Sequence, residues 1–161
     1  DGWTMYDTMD ATFIFPGNRV VKWDGKSRNG YDTYGAGRGT IIYGSEGSVF
    51  VNRGGYKLYN RDGKMIREGR SGGNESGTAL GGGGNMSTMH VVNFFEAIRG
   101  KAQQRSPIDE GAKSTLLGHL ANISSRINKN FHVNPNNGHI NDQEAMELWS
   151  RDYEPGWEMK V

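Results

Sequence analysis

The sequence predicts an α+β fold, an open, mainly antiparallel β-sheet built from successive hairpins with helices packed on one face. Two observations predict it. The first part of the 161-residue chain holds short runs in which apolar and polar residues alternate between turn-forming residues. The last part holds longer segments in which apolar residues recur every three or four positions. Strands and helices that occupy separate blocks of sequence are typical of α+β domains.

The first hairpin is predicted near the beginning of the chain. Pro16-Gly17-Asn18 supplies turn residues, and Val21 and Trp23 then share one face of the return strand. Apolar residues alternate with polar ones over Thr8–Phe15, and the apolar set is Met9, Ala11, Phe13 and Phe15. We therefore expect a half-buried strand paired with its neighbour.

Two further hairpins are predicted from short runs of β-branched and aromatic residues around Gly-containing turns. The paired runs are Thr40–Tyr43 with Ser48–Val51, and Tyr56–Asn60 with Lys64–Glu68. An open sheet with one apolar face needs helices, another sheet or another subunit to cover it. The helices that follow are the expected cover, and we further expect a homo-oligomer formed through the sheet face.

A Gly-rich stretch separates the strands from the helices. Its composition of Gly, Ser, Asn and Thr buries too little apolar surface to offset the entropy of ordering. We expect one domain over residues 1–161, with sheet strands in 1–69, a mobile linker in 70–86 and a helical segment in 87–161.

The first predicted helix begins at a Ser87 or Thr88 cap and ends at Gly100. Its apolar positions follow the i, i+3, i+4, i+7 pattern of one helix face, and they are Val91, Phe94, Phe95 and Ile98. We expect this face to dock on the sheet or on the middle helix.

The middle helix has the clearest pattern. Asp109 is its expected N-cap, Glu110 follows in the first turn, and Arg126 and Lys129 are expected in the last turn, where they complement the helix dipole. One narrow stripe holds its apolar residues Ala112, Leu116, Leu120, Ile123 and Ile127. This stripe is expected to form a core.

The end of the chain predicts a short strand and a third helix. Phe131–Val133 has strand composition, and Asn141 with Glu144 resembles a capping box ahead of Ala145. Pro155 is expected to end the ordered pattern or to begin a tail.

Composition excludes several classes of function. The formal net charge is +1, from 19 basic and 18 acidic residues with no block of like charge, so a nucleic-acid partner is not expected. There is no cysteine, which removes thiolate catalysis and sulfur-ligated metals. No apolar run approaches the roughly 20 residues needed to span a bilayer, so no membrane partner is expected. The compartment stays open.

Two glycine motifs resemble catalytic or cofactor signatures. Gly69-Arg70-Ser71-Gly72-Gly73 matches the nucleophile elbow, yet glycine linker follows where a helix is required. Gly35-Ala36-Gly37-Arg38-Gly39 resembles a dinucleotide fingerprint, but its third glycine is misplaced and a strand follows. We predict no catalytic residue and no cofactor-binding residue in this chain.

The candidate substrate-binding residues are polar groups on a loop and one histidine. Arg28, Asn29, Tyr31 and Arg38 suit a hydroxylated or carboxylated small molecule, because Arg offers a forked donor and Asn both donor and acceptor. His119 lies in a polar seam beside the apolar stripe of the middle helix. The alternatives are an ordinary solvated loop and a packing histidine. The four histidines lack metal-ligand spacing, so no metal site is predicted.

Several segments resemble the C-terminal domain of bacterial Gfo/Idh/MocA-type oxidoreductases. The resemblance rests on His90–Arg99, Ile108–Gly111, Ser114–Ile123, Trp149–Tyr153, Asp7–Phe13 and Tyr43–Ser48. It implies a parent enzyme that has an N-terminal Rossmann domain and transfers hydride between NAD or NADP and a sugar or sugar-like polyol. This chain would then be the substrate-binding and oligomerisation portion, which is inactive alone and binds no cofactor.

This sequence lacks the motifs that bind the cofactor and carry catalysis in that family. The Gly-rich cofactor turn and the Glu-Lys-Pro-type lysine are absent. The Asp-x-x-x-His motif is absent too, because none of the four histidines has an aspartate four residues before it. The residues at those positions are Met86, Thr115, Asn128 and Pro135. We therefore expect the fragment to start after the catalytic histidine and to need the missing Rossmann domain as its partner. The alternative is a stand-alone carbohydrate-binding or interaction module that uses Tyr31, Tyr34, Tyr56 and Tyr59 as stacking surfaces.

Overall fold

The computed structural model describes residues 6–70 and 84–158, without the side chains of 84–86. Most of the predicted mobile linker, residues 71–83, lies outside the described residues, as do Ser71, Gly72 and Gly73 of the elbow-like motif. The predicted α+β class and the open, antiparallel sheets built from hairpins are confirmed.

The described part of the chain contains six strands followed by three helices. The strands are β1 (Thr8–Phe15), β2 (Arg19–Lys26), β3 (Thr40–Tyr43), β4 (Gly47–Asn52), β5 (Gly55–Asn60) and β6 (Met65–Arg70). The helices are α1 (Gly84–Ile98), α2 (Ile108–Ile127) and α3 (Gln143–Glu147).

The three predicted hairpins do not join into one sheet. β1 and β2 form a two-stranded sheet, and β3 to β6 form a separate four-stranded antiparallel meander. Residues 27–39 between β2 and β3 are an irregular loop, so among the described residues no ladder links these two strands. The predicted alternation in β1 is present, because Met9, Ala11 and Phe13 are half-buried between exposed neighbours.

One face of the four-stranded sheet is apolar and partly open to solvent. The register pairs Ile42 with Val49, Val49 with Leu58, and Val51 with Tyr56, so these five side chains share a face. We call them the apolar sheet face. Ile42 and Val51 are exposed and the other three are half-buried.

Helix α1 begins earlier than the sequence predicts. It starts at Gly84, so the predicted Ser87 or Thr88 cap is wrong, and both residues lie inside the helix. Its predicted end at Gly100 is confirmed, and the structure shows a Schellman motif there. Gly100 has φ +70°, the Lys101 amide donates to the Glu96 carbonyl at 2.9 Å, and the Gly100 amide donates to Ala97 at 3.0 Å.

The apolar stripe of α1 is not buried as expected. Its residues are between 47% and 66% exposed, and they are Val91, Phe94, Phe95 and Ile98. The side of α1 that is buried carries Asn93. Periodicity predicted the apolar face correctly, but it did not identify a surface that covers the face.

Helix α2 forms the centre of an apolar core. Leu120 and Ile123 are buried as predicted, and Leu116 and Ile127 pack against them, while Ala112 is exposed. The predicted Asp109 cap is wrong. Pro107 is the N-cap without a side-chain hydrogen bond, and Asp109 lies in the first turn with Glu110.

The C-terminal end of α2 also differs from the prediction. Asn128 caps it in the left-handed conformation, with φ +53°, so Lys129 lies beyond the helix and not in its last turn. Lys129 instead forms an ion pair with Glu144 of α3. The Glu144 hydrogen bond raises the pKa of Lys129 above its ordinary value.

The segment between α2 and α3 is an arch and not the predicted strand Phe131–Val133. Val133 makes an isolated antiparallel bridge to Ile140, which is buried in the α2 core. The predicted Asn141 cap of α3 is also wrong by one residue. Asp142 is the N-cap, and its carboxylate accepts from the Ala145 amide at 3.0 Å.

The chain divides into two compact units. The sheet unit comprises Asp1–Met9 and Gly25–Arg105, and the helical unit comprises Asp10–Asp24 and Ser106–Val161. Within the helical unit, Phe13 of β1 packs against the α2 core. No helix among the described residues is both long and apolar enough to cross a membrane.

Candidate functional site

The loop between β2 and β3 carries four of the five predicted substrate-binding residues. It opens with a turn in which the Asn29 amide donates to the Lys26 carbonyl at 3.3 Å. The Asn29 side-chain oxygen then accepts from the Tyr31 amide at 2.9 Å. This local hydrogen bond fixes the path of the backbone and leaves the Tyr31 ring 77% exposed.

The middle of this loop is a tight turn over Thr33–Ala36. Thr33 and Ala36 form an isolated antiparallel bridge, with the Ala36 amide donating to the Thr33 carbonyl at 3.2 Å. Tyr34 and Gly35 both have positive φ, at +56° and +72°. Two successive left-handed residues are typical of a type I′ turn. The bulky Tyr34 therefore occupies a backbone conformation that is uncommon for its type.

A contact between two tyrosine hydroxyls ties this turn to the sheet. Tyr34 Oη lies 3.2 Å from Tyr43 Oη at the end of β3. The hydrogen bond with Tyr34 raises the pKa of Tyr43 above its ordinary value, with smaller contributions from desolvation and from the Tyr34 charge. Both rings remain exposed, so their outer faces are open to a ligand.

The two arginines give the loop its charge. Arg28 and Arg38 are exposed, one near each end of the loop, and the loop has one carboxylate, Asp32. Together with the Asn29 amide and the tyrosine hydroxyls, they form a set of hydrogen-bond donors that favours hydroxyl and carboxylate oxygens.

His119 belongs to the helical unit. It is exposed on α2, at the flank of the stripe that contributes Leu116 and Leu120 to the core. One turn earlier, Thr115 donates from its hydroxyl to the Gly111 carbonyl at 2.9 Å. The predicted packing alternative for His119 is therefore weakened, because its side chain is open to solvent.

The residues around Gly35–Gly39 do not fit a dinucleotide cofactor. A pyrophosphate site of this kind requires a helix N-terminus directly after the glycines. Here Thr40 begins β3, and Gly39 packs so closely on the Phe50 ring that an added Cβ would lie 2.5 Å from Phe50 Cε2. Gly39 therefore serves the packing of the sheet, and Gly35 serves the turn over Thr33–Ala36.

Two contributors to local structure were missed at the sequence level. One is Tyr43, whose hydroxyl contacts that of Tyr34. The glycine after Tyr34 was a sequence signal for the turn that brings Tyr34 back to β3. Asn93 is the other, because its side-chain amide bonds the backbone of Gln103 and Arg105. No periodic pattern marks such a residue.

Comparisons with known proteins do not assign a family. No protein-family model, curated protein or solved structure matches the chain significantly. Among the described residues, no three His, Asp or Glu side chains are grouped so that they could hold a metal ion.

Proposed function

We propose that the chain is the substrate-binding and oligomerisation portion of an NAD(P)-dependent oxidoreductase similar to the Gfo/Idh/MocA family, acting on a sugar or sugar-like polyol. The sequence resemblance supports the family, and the open antiparallel sheet with its helical unit is compatible with it. The single observation that carries substrate binding is the exposed donor set on the loop between β2 and β3.

Each loop residue has a role in this proposal. Arg28 and Arg38 donate to substrate oxygens, and Arg38 directly precedes Gly39 and β3, which limits its freedom. The Asn29 side-chain oxygen is engaged by the Tyr31 amide, so its NH₂ group faces the ligand as a donor. The exposed rings of Tyr31 and Tyr34 cover the apolar face of a sugar ring.

The proposal assigns no reaction step to this chain. A nicotinamide cofactor would supply the hydride, and a Rossmann domain would hold that cofactor. The chain contributes binding and orientation of the polyol. The apolar sheet face would form the contact between copies of the chain, because burying it removes apolar surface from water.

Calorimetric titration of the full chain with myo-inositol, glucose and gluconate tests substrate binding. We expect weak saturable binding of at least one of them, and Arg38→Ala should weaken it by at least about tenfold, since a hydrogen bond to a charged group contributes roughly 1.5–3 kcal/mol. Arg53→Ala is the matched control, because Arg53 is also exposed but lies in the turn between β4 and β5. Binding of NADH, or no binding of any polyol, would contradict the proposal.

A second candidate function is a stand-alone carbohydrate-binding module. It is favoured by the exposure of neighbouring aromatic rings, 77% for Tyr31 and 66% for Tyr34. Tyr56 is less suitable, because its ring lies over Gly69, where an added Cβ would be 2.4 Å from Tyr56 Cε1. Such a module should bind an oligosaccharide more tightly than its monosaccharide and should lose binding with Tyr31→Ala. The oxidoreductase portion should show no gain with sugar length.

A further inference from the structure

The chain contains two Asn-Gly dipeptides that the fold places in different environments. Asn29-Gly30 lies in the loop after β2, and Asn137-Gly138 lies in the arch before α3. Asn-Gly is the dipeptide in which the following amide nitrogen attacks the asparagine side chain most readily, because glycine has no side chain to obstruct the approach. The two sites therefore allow a comparison within one molecule.

The asparagine side-chain carbonyl, whose Cγ is the atom attacked, has the same hydrogen bonding at both sites. Asn29 Oδ1 accepts from the Tyr31 amide at 2.9 Å, and Asn137 Oδ1 accepts from the His139 amide at 3.0 Å. A donor on this oxygen stabilises the negative charge that develops when a nucleophile adds to Cγ. Activation of the carbonyl therefore does not distinguish the two dipeptides.

The glycine amide nitrogen, which is the attacking atom, differs between the two sites. The Gly138 amide donates to the Asn134 carbonyl at 2.8 Å. Gly138 is also packed, since an added Cβ would lie 2.8 Å from Leu116 Cδ2 and 3.4 Å from the Trp149 ring. In contrast, the Gly30 amide has no hydrogen-bond partner within residues 6–70 and 84–158, and a Cβ at Gly30 would meet nothing within 4 Å.

We propose that Asn29-Gly30 is a site of spontaneous deamidation in the folded protein, and that the arch protects Asn137-Gly138 from the same reaction. The Gly30 nitrogen bonds to Asn29 Cγ and gives its proton to solvent base. The side-chain amide leaves as ammonia, and a succinimide ring forms. Water then opens either carbonyl of the ring to give aspartate or isoaspartate. One water is consumed, one ammonia is released, and no redox partner is needed.

The modification changes the chemistry of the loop. It replaces the amide donor of Asn29 by a carboxylate directly beside Arg28, and the isoaspartate product also lengthens the backbone before Tyr31. The backbone hydrogen bonds and packing that distinguish the two sites do not depend on whether the loop binds a polyol.

Peptide mapping by mass spectrometry tests the proposal on the full chain, incubated folded at mildly alkaline pH. Asn29 should deamidate at least about tenfold faster than Asn137, because releasing the Gly138 amide from its partner leaves a hydrogen bond unmade. In concentrated urea the two rates should converge, which controls for the residues that flank each dipeptide. Equal rates in the folded protein, or faster reaction at Asn137, would overturn the proposal.

Amide hydrogen exchange gives a second measurement that needs no variant. The Gly138 amide should exchange slowly and the Gly30 amide rapidly under native conditions. Leu116→Ala, which loosens the packing over Gly138, should accelerate deamidation of Asn137 and leave the rate at Asn29 unchanged. Slow exchange at Gly30, or no acceleration at Asn137, would refute the proposed protection.

Discussion

Asn93 in α1 holds Arg105 in place. The Asn93 side-chain oxygen accepts from the Arg105 amide at 2.9 Å, and its NH₂ group donates to the Gln103 carbonyl at the same distance. Asn93 is the buried polar residue among those the structure describes, and both halves of its side-chain amide form hydrogen bonds. The segment that follows α1 therefore depends on one side chain.

Replacing Asn93 should lower the stability of the sheet unit. Asn93→Ala leaves the Arg105 amide and the Gln103 carbonyl without their partner, and we expect a loss of about 1–3 kcal/mol in the free energy of unfolding. Urea unfolding followed by circular dichroism measures it. Asn136→Ala, at an exposed position, is the control and should change stability by less than about 0.5 kcal/mol. An unfolding midpoint of Asn93→Ala equal to that of the parent chain would contradict this role.

Two glycine substitutions should have opposite effects on the helical unit. Gly138→Ala forces a side chain into a φ of +76° and against Leu116, so we expect a loss of about 1–3 kcal/mol. Gly118→Ala lies in α2 with open space around it, and we expect a gain of about 0.5–1 kcal/mol from helix propensity. Thermal unfolding of both variants measures the difference. A shift of the same sign for both would contradict the packing of Gly138 against Leu116.

Local alternation and helical periodicity predicted most of the elements. The turn residues of β1–β2 and β5–β6 and the stripe around Leu120 were sufficient, because these signals repeat along the sequence. The three predicted helix N-caps were missed by one or more residues. A cap depends on the geometry of a single residue, as at Asp142, and neighbouring Asn and Asp residues have similar preferences for that position.

The residue types of the candidate site were predictable from the sequence, but the contacts between them were not. Arg28, Asn29, Tyr31 and Arg38 were recognised as polar loop residues, but the contact of Tyr34 with Tyr43 depends on a turn with two left-handed residues. The bonds of Asn93 to residues ten and twelve positions away follow no period at all. Contacts of this kind arise from tertiary structure.

The tyrosine pair predicts a pH-dependent property of the loop. The folded protein holds the pKa of Tyr43 above its ordinary value of 10.0. The contact of Tyr43 with Tyr34 therefore contributes stability that is fully present below pH 10.0 and is lost as the pH rises through the pKa of the folded state. Tyr34→Phe removes the main cause and should lower the pKa of Tyr43. Titration of the tyrosine ring signals by NMR measures this pKa. Tyr31→Phe should leave it unchanged, and an unchanged pKa in Tyr34→Phe would exclude the hydroxyl contact.

The apolar sheet face predicts self-association. Ile42→Glu introduces a charge at its exposed edge, so this variant should shift the chain toward monomer in multi-angle light scattering. Ile108→Glu is the matched control, because Ile108 is exposed in the first turn of α2 in the helical unit. It should not change the oligomeric state. A parent chain that is monomeric at high concentration would refute association through this face.

The most direct test of the proposed function is a titration of the isotopically labelled full chain with a polyol, followed by the backbone amide signals in NMR. We expect saturable shifts concentrated in residues 28–38 and at Tyr43, and no such shifts on addition of NADH. Shifts scattered over both units, or none at the highest soluble polyol concentration, would contradict a substrate-binding loop between β2 and β3.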